Sequence, residues 1–311
     1  GGLRWDGVVL ATGSEPRLLE GAGGLAGIHV LRRLEDALAL RAALRSAGRL
    51  AVVGAGFIGG EVASSARALG VDVTVLEALE APLVRAIGRR LGGVYARLHL
   101  THGTDLRCGV EVAGFEGKER VEAIRLADGS RVEADVVVLG LGADPAVGWL
   151  HGSGLALENG VVCDATLRAR PRVYAAGDVA RWPNPRFATH MRVEHWANAA
   201  EQGAHAARNL VTGADRPYDA VPYFWSDQYD RRIQFAGYAC SDEPAAVLGA
   251  CGDETPCIGL YAREGRLTAA LAVDAPAAFT RLRLLLQRGG DLEAAVDTVR
   301  SAGFVTSASA A

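Results

Sequence analysis

Hydrophobic periodicity divides the chain into alternating strands and helices in front and a strand-rich stretch behind. From Arg49 to Glu77 it runs RLAVVGAGFIGGEVASSARALGVDVTVLE. Leu50 to Val53 is a short apolar run suited to a buried parallel strand, and Ile58, Val62, Ala66 and Leu69 recur at helical spacing. The pattern predicts a strand, a glycine turn, a helix ending at Gly70 and a second strand ending at Glu77. Between Arg107 and Val138, short strands flank Asp128 and Gly129, which predicts a β-hairpin feeding a closing strand. After Tyr218 come three strand-like runs, RRIQFAGY, PCIGLYA and RLTAALAV, and then a helical run, AAFTRLRLLLQRG. That order predicts a separate α+β domain. The small, polar tail from Ser301 to Ala311 is expected to be disordered.

The glycine turn carries chemistry. Gly54 permits the tight turn, Gly56 lets the backbone approach a pyrophosphate, and Gly59 lets the helix pack closely on the strand. Phe57 and Ile58 complete the turn, and the helix N-terminus then faces the phosphates. The Glu77 carboxylate at the end of the second strand suits a ribose 2′-hydroxyl and repels a 2′-phosphate, which favours NAD over NADP. Arg85 and Arg89 lie within reach of a 2′-phosphate and argue the other way. The bland alternative makes the glycines turn punctuation and Glu77 a solvated strand end.

An internal repeat extends the pattern. Asp6 to Pro16 reads DGVVLATGSEP and Asp135 to Pro145 reads DVVVLGLGADP, so aspartate, apolar strand, glycine (Gly13, Gly142) and proline recur at equal offsets. In the second copy the strand closes the unit opened at Gly54, about 80 residues earlier. By analogy the first copy closes an earlier unit whose fingerprint is expected ahead of residue 1. Chance likeness between two valine-rich strands is the alternative.

Composition changes little. Of 311 residues, 50% are hydrophobic and 22% charged, with 39 glycines and 11 prolines, which fits a globular chain long enough for two or three domains. A net charge of −3 gives no global attraction to nucleic acid or an anionic membrane, and no apolar run of membrane-spanning length occurs. A cytoplasmic protein is expected. Cys108, Cys163, Cys240, Cys251 and Cys257 are scattered, without a C-x-x-C pair, and read as reduced thiols rather than metal ligands.

The later motifs are more specific: RVYAAGD ending at Asp178, then RVEHWANAAEQGAHAARNLVTG, then PYFWSDQYDRRIQFAGY. With ATGSEPR and GAGFIGGE, they resemble, from Asp6 to about Leu285, the FAD-dependent, NADH-oxidising ferredoxin reductases of oxygenase and cytochrome P450 systems. The resemblance implies an α/β, two-dinucleotide-binding-domain flavoprotein fold (three-layer ββα) with a C-terminal α+β domain. The expected division is 1–32 and 145–216 for the FAD-binding part, 33–144 for the NAD-binding domain and 217–311 for the last domain. It also implies FAD and NAD as cofactors, NADH as donor and a [2Fe-2S] ferredoxin as acceptor. The oligomeric state stays open between monomer and homodimer.

Residue by residue, the resemblance places Thr12, Gly13, Gly177 and Asp178 at the FAD, with Asp178 accepting from ribityl hydroxyls. It places Glu194, His195 and Trp196, at the start of a long helix through Asn209, against the flavin, and Phe224 and Trp225 at its exposed edge. Glu61 becomes the candidate catalytic residue, beside the isoalloxazine and paired in the family with a lysine from the segment ahead of residue 1. The residues allow plainer roles: Asp178 as a helix cap, Glu61 as a complement to the helix dipole, and Trp196, Phe224 and Trp225 as packing aromatics. Arg281, Arg283 and Arg288 on the last predicted helix read as a solvated face. An NADH oxidase or peroxide-reducing flavoprotein shares the scaffold and is the second enzyme reading. A non-catalytic NAD-binding protein is the third.

Overall fold

The computed structural model describes residues 4–241, 243–251 and 255–305. Its central element is a parallel sheet in the order Ile28–His29, Val136–Leu139, Arg49–Val53, Asp72–Glu77, Asp105–Cys108. Both faces are covered, which is why these strands read as unbroken apolar runs. Val52, Val75, Val136 and Val138 point to one face, where Leu40 and Leu44 of the helix Leu34–Leu44 and Val62, Ala63 and Ala66 of the helix Phe57–Ala68 pack on them. Ala51, Val53, Leu76, Val137 and Leu139 point to the other, against Val121, Ile124, Leu126 and Val132. Those last four belong to a three-stranded antiparallel sheet, Val112–Gly117, Val121–Leu126 and Arg131–Glu133. The result is the expected three-layer ββα arrangement. Full burial of one such valine or leucine contributes about 1.5–3 kcal/mol.

The two copies of the internal repeat meet. Val8–Leu10 pairs in parallel with Val173–Ala175, and each repeat then runs into a short ribbon in which Ser14–Pro16 pairs antiparallel with Ala143–Pro145. Gly13 and Gly142 precede the two ribbon strands with φ of 73° and 81°, a left-handed conformation that favours glycine.

Behind these lies a five-stranded antiparallel sheet in the order Tyr223–Gln228, Arg231–Gly237, Arg266–Val273, Cys257–Arg263, Ala246–Leu248. The helices Pro276–Arg288 and Leu292–Arg300 cover one face through Phe279, Leu282, Leu286 and Val299. The helix Val84–Thr101, which follows the strand Asp72–Glu77 of the parallel sheet, covers the other through Ile87, Leu91, Tyr95 and Leu98. The α+β expectation holds, with Tyr223–Gln228, Ala246–Leu248 and Leu292–Arg300 as additional elements.

Three expectations change. Ile58 and Leu69 are exposed, and the buried face of their helix is Gly59, Val62, Ala63 and Ala66, because Ile58 turns into a cavity described below. Cys251 and Cys257 are not free thiols but a disulfide. The antiparallel pairing of Leu248 with Ile258 turns the chain back on itself and brings the Cα atoms of Cys251 and Cys257 to 4.7 Å, a juxtaposition the spacing of 6 does not announce. The tail is ordered as far as Val305, whose carbonyl accepts from Gly249 N, and the rest of it lies outside the described residues. No described helix is long and apolar enough to cross a membrane.

Candidate functional site

The glycine turn is built for close approach. At Gly54, with φ of 101°, a Cβ would overlap the Gly140 carbonyl, and at Gly59 it would overlap the Gly54 carbonyl. These two glycines are needed by the protein itself. Gly56 faces open space, so its missing side chain is left for something else to approach. Gly54 and Gly56, with Glu77, Ala78, Arg85 and Leu141, line a cavity of about 550 Å³. Glu77 does more than face it. Its Oε2 accepts from Ala55 N at 2.8 Å and its Oε1 from Leu79 N at 2.9 Å, so the carboxylate also holds the turn against the cavity rim. Arg89 is paired with Glu80 at 2.8 Å, while Arg85 stands on the wall.

A second cavity, about 380 Å³, adjoins the first at Gly56 and Gly140. One wall is the fingerprint helix, with Phe57 and Ile58; a second is the strand Tyr223–Gln228, with Phe224 and Trp225. Gly142 and Arg32 line it as well, as do Glu194, His195 and Trp196. Nine of the expected site residues therefore meet in one place: Gly56, Phe57, Ile58, Gly142, Glu194, His195, Trp196, Phe224 and Trp225. Phe57 and Phe224 touch edge to face at 4.6 Å between centroids, and His195 packs on Phe224 at 4.5 Å. Trp196 is 79% exposed and Trp225 41%, so both aromatics are presented to the cavity rather than consumed by the core.

The long helix runs Trp196–Thr212, one turn further than expected at its end, with His195 as its N-cap residue. His195 is half-buried, and desolvation of its ring holds the imidazole neutral, with a pKa lowered to about 4. Its Nδ1 has no hydrogen-bond partner among the described residues, nor has Gln202 Nε2 one turn and more along the same helix. Gln202 Oε1 meanwhile accepts from Gly177 N at 2.8 Å.

Asp178 is only 7% exposed. Its Oδ2 accepts from Arg32 Nη2 at 2.7 Å and from Ser14 Oγ at 2.9 Å, and Arg32 Nε donates back to the Ser14 carbonyl. Gly13 lies beside the same guanidinium, and Thr12 Oγ1 donates to Ala146 O. Thr12, Gly13, Gly177 and Asp178 thus form a separate group beyond Arg32, off the cavity walls. A buried carboxylate with two donors, a left-handed glycine at 177 with φ of 76°, and orphan polar atoms on His195 and Gln202 fit a polar dinucleotide such as FAD.

Glu61 sits one helical turn behind Phe57, off the cavity wall. Its Oε1 accepts from Ser226 Oγ at 2.5 Å, and burial pushes its carboxyl above the ordinary 4.5 despite that bond. Arg32, Ser14, Gln202, Ser226 and Gln228 were not among the expected residues. For Ser226 and Gln228 the signal was there: both are polar residues at the inward positions of an alternating strand.

The family profile of the pyridine nucleotide-disulphide oxidoreductases matches residues 2–203, and that of the reductase C-terminal domain matches residues 223–300. Rhodocoxin reductase of Rhodococcus erythropolis is 37% identical over 250 residues, 79% of this chain and 58% of the relative. The ferredoxin–NAD(+) reductase component of the biphenyl dioxygenase system of Paraburkholderia xenovorans is 39% identical over 281 residues, 89% of this chain and 68% of the relative. The chain therefore spans about three fifths to two thirds of the length of these relatives. Among solved structures, the covalent putidaredoxin reductase–putidaredoxin complex superposes with a TM-score of 0.86 at 30% identity, covering 97% of this chain and 76% of that one.

Proposed function

The chain belongs to the pyridine nucleotide-disulphide oxidoreductase family, and from that premise we propose that it transfers a hydride from NADH to FAD and passes the electrons singly to a [2Fe-2S] ferredoxin. The observation that carries the reading is the cavity at which the coenzyme turn, the aromatic pair Phe224 and Trp225, and the helix start at Trp196 converge. The names of the relatives, a rhodocoxin reductase and a ferredoxin reductase component of a dioxygenase system, support the acceptor class.

FAD, when bound, supplies the capacity to take two electrons together and release them one at a time. The chain's own residues do the rest. Gly54, Gly56 and the N-terminus of the helix Phe57–Ala68 hold the pyrophosphate of NADH, and Glu77 holds its ribose. Asp178, with Gly177, Gly13 and Thr12 around it, would hold the FAD by accepting hydrogen bonds from its hydroxyls, and Arg32 fixes the carboxylate in place. Phe57, Ile58 and Phe224 give the cavity an apolar wall against which a planar ring can lie. The helix Trp196–Thr212 begins at the same cavity, and the positive end of its dipole would favour negative charge on a group held there. No protein acid or base is required, since orientation and distance dominate. We place the protein in the cytoplasm, where NADH is regenerated.

The test is anaerobic mixing of FAD-loaded protein with NADH, followed by addition of oxygen or of a [2Fe-2S] ferredoxin. The expected result is loss of the yellow flavin absorbance and faster NADH consumption with ferredoxin than with oxygen. Flavin that stays yellow overturns the reading.

A further inference from the structure

Four polar side chains form a line behind the wall of the second cavity. Tyr95 Oη donates to Gln228 Oε1 at 2.7 Å, Gln228 Nε2 donates to Ser226 Oγ at 2.9 Å, and Ser226 Oγ donates to Glu61 Oε1 at 2.5 Å. The direction is fixed. An amide nitrogen only donates, so the Ser226 oxygen is occupied as an acceptor from Gln228 and its own proton goes to the carboxylate. Tyr95, Ser226 and Gln228 are all buried, where a broken member leaves an unpaired polar group.

Gly60 shows how closely the line runs. It has ordinary helical backbone and lies outside the pyrophosphate turn, so neither conformation nor coenzyme explains its missing side chain. A Cβ there would overlap Tyr95 Oη and Gln228 Oε1. The glycine leaves room for the relay.

The line joins the two walls of the cavity. Glu61 lies one turn beyond Phe57 on the fingerprint helix, and Ser226 lies two residues beyond Phe224, on the same side of its strand. We propose that Tyr95, Gln228 and Ser226 are positioning residues: through Glu61 they fasten the wall bearing Phe224 and Trp225 to the wall bearing Phe57 and Ile58, and so fix the gap in which nicotinamide meets flavin. This rests on the NADH-to-FAD reading. The consequence is kinetic, since a misplacement of about 1 Å costs on the order of 100-fold in rate.

The test compares wild type, Ser226→Ala, Ser226→Thr and Tyr95→Phe. In the FAD-loaded protein, Ser226→Ala is expected to slow single-turnover bleaching by NADH by about 10- to 100-fold, Tyr95→Phe less, and Ser226→Thr, which keeps the hydroxyl, hardly at all. NADH affinity of the flavin-free chain is expected to stay within about twofold, because the pyrophosphate turn is untouched. In that same flavin-free chain, Ser226→Ala is expected to raise acrylamide quenching of Trp225, read by difference against Trp225→Phe, as the walls part. Should Ser226→Ala fail to fold, Tyr95→Phe, which removes one oxygen, carries the same readings. Bleaching at the wild-type rate with unchanged Trp225 quenching, or equal loss of rate and NADH affinity, overturns the relay and leaves the NADH-to-FAD reading standing. A wild type that NADH does not bleach sinks both.

Discussion

Arg32 Nη2 lies 2.7 Å from Asp178 Oδ2 and ties the segment after the first repeat to the short turn Gly177–Val179, 146 residues away in sequence. The arginine is 36% exposed, so the ion pair is partly screened and contributes less than a fully buried one. Asp178→Ala also strands the Ser14 hydroxyl, and the combined cost is about 1–3 kcal/mol. Thermal melts and flavin content after gel filtration check this. Asp178→Ala is expected to melt several degrees lower and to retain less FAD. Asp178→Asn, which still accepts from Ser14, is expected to recover part of the stability but not the FAD affinity.

Gly56 and Gly59 separate coenzyme binding from folding. A Cβ at Gly56 meets nothing within 4 Å, whereas one at Gly59 collides with the Gly54 carbonyl. Gly56→Ala is therefore expected to leave the melting temperature within about 2 °C and to weaken NADH binding by about tenfold or more. Gly59→Ala is expected to lower stability first. Titration with NADH beside a thermal melt of each variant distinguishes them; equal effects of the two substitutions on both readings count against the assigned turn.

What was legible in the sequence follows from the range of the interactions. The strand, turn and helix at Arg49 to Ala68 are set by neighbours within a few residues, so periodicity and glycine spacing suffice. The repeat at Gly13 and Gly142 was legible as two similar segments, but their antiparallel pairing was not, since that depends on how the units pack. The same holds for Arg32 with Asp178, partners that only tertiary folding brings together, whereas Cys251 and Cys257 are joined by a strand pairing that their spacing does not reveal. Ile58 misled for another reason. Apolar residues at helical spacing face a core in most helices, and here one of them faces a cavity instead.

Glu77 has two tasks, and a single substitution divides them. Both carboxylate oxygens accept main-chain N–H groups, from Ala55 and Leu79, while the charge lines the cavity we assign to the coenzyme. Glu77→Gln removes the charge and keeps one acceptor oxygen. The expected outcome is a fall of about tenfold in kcat/KM for NADH and a rise for NADPH, whose 2′-phosphate then meets Arg85 without an opposing carboxylate. Glu77→Gln with an unchanged ratio of the two coenzymes argues that Glu77 serves the turn alone.

His195 and His99 give the fold a dependence on acid. Burial lowers each imidazole from the ordinary 6.5 to about 4, with the neighbouring His102 adding to the effect at His99 and Asp178 opposing it at His195. In the unfolded chain both rings take a proton near pH 6.5, whereas in the fold they stay neutral down to about 4. The unfolded state thus binds more protons between those limits, so stability is full above 6.5, falls as the pH drops, and levels off below about 4. Glu61 acts in the opposite sense, because its raised carboxyl takes a proton in the fold before it does in the unfolded chain. Two histidines shifted this far outweigh one glutamate in the upper part of the window. The urea midpoint is therefore expected to be lower at pH 5 than at pH 7. In His195→Phe, which fills the same space beside Phe224 without a titrating nitrogen, the drop is expected to shrink. A midpoint that holds constant from pH 7 to 5 in the wild type rules this account out.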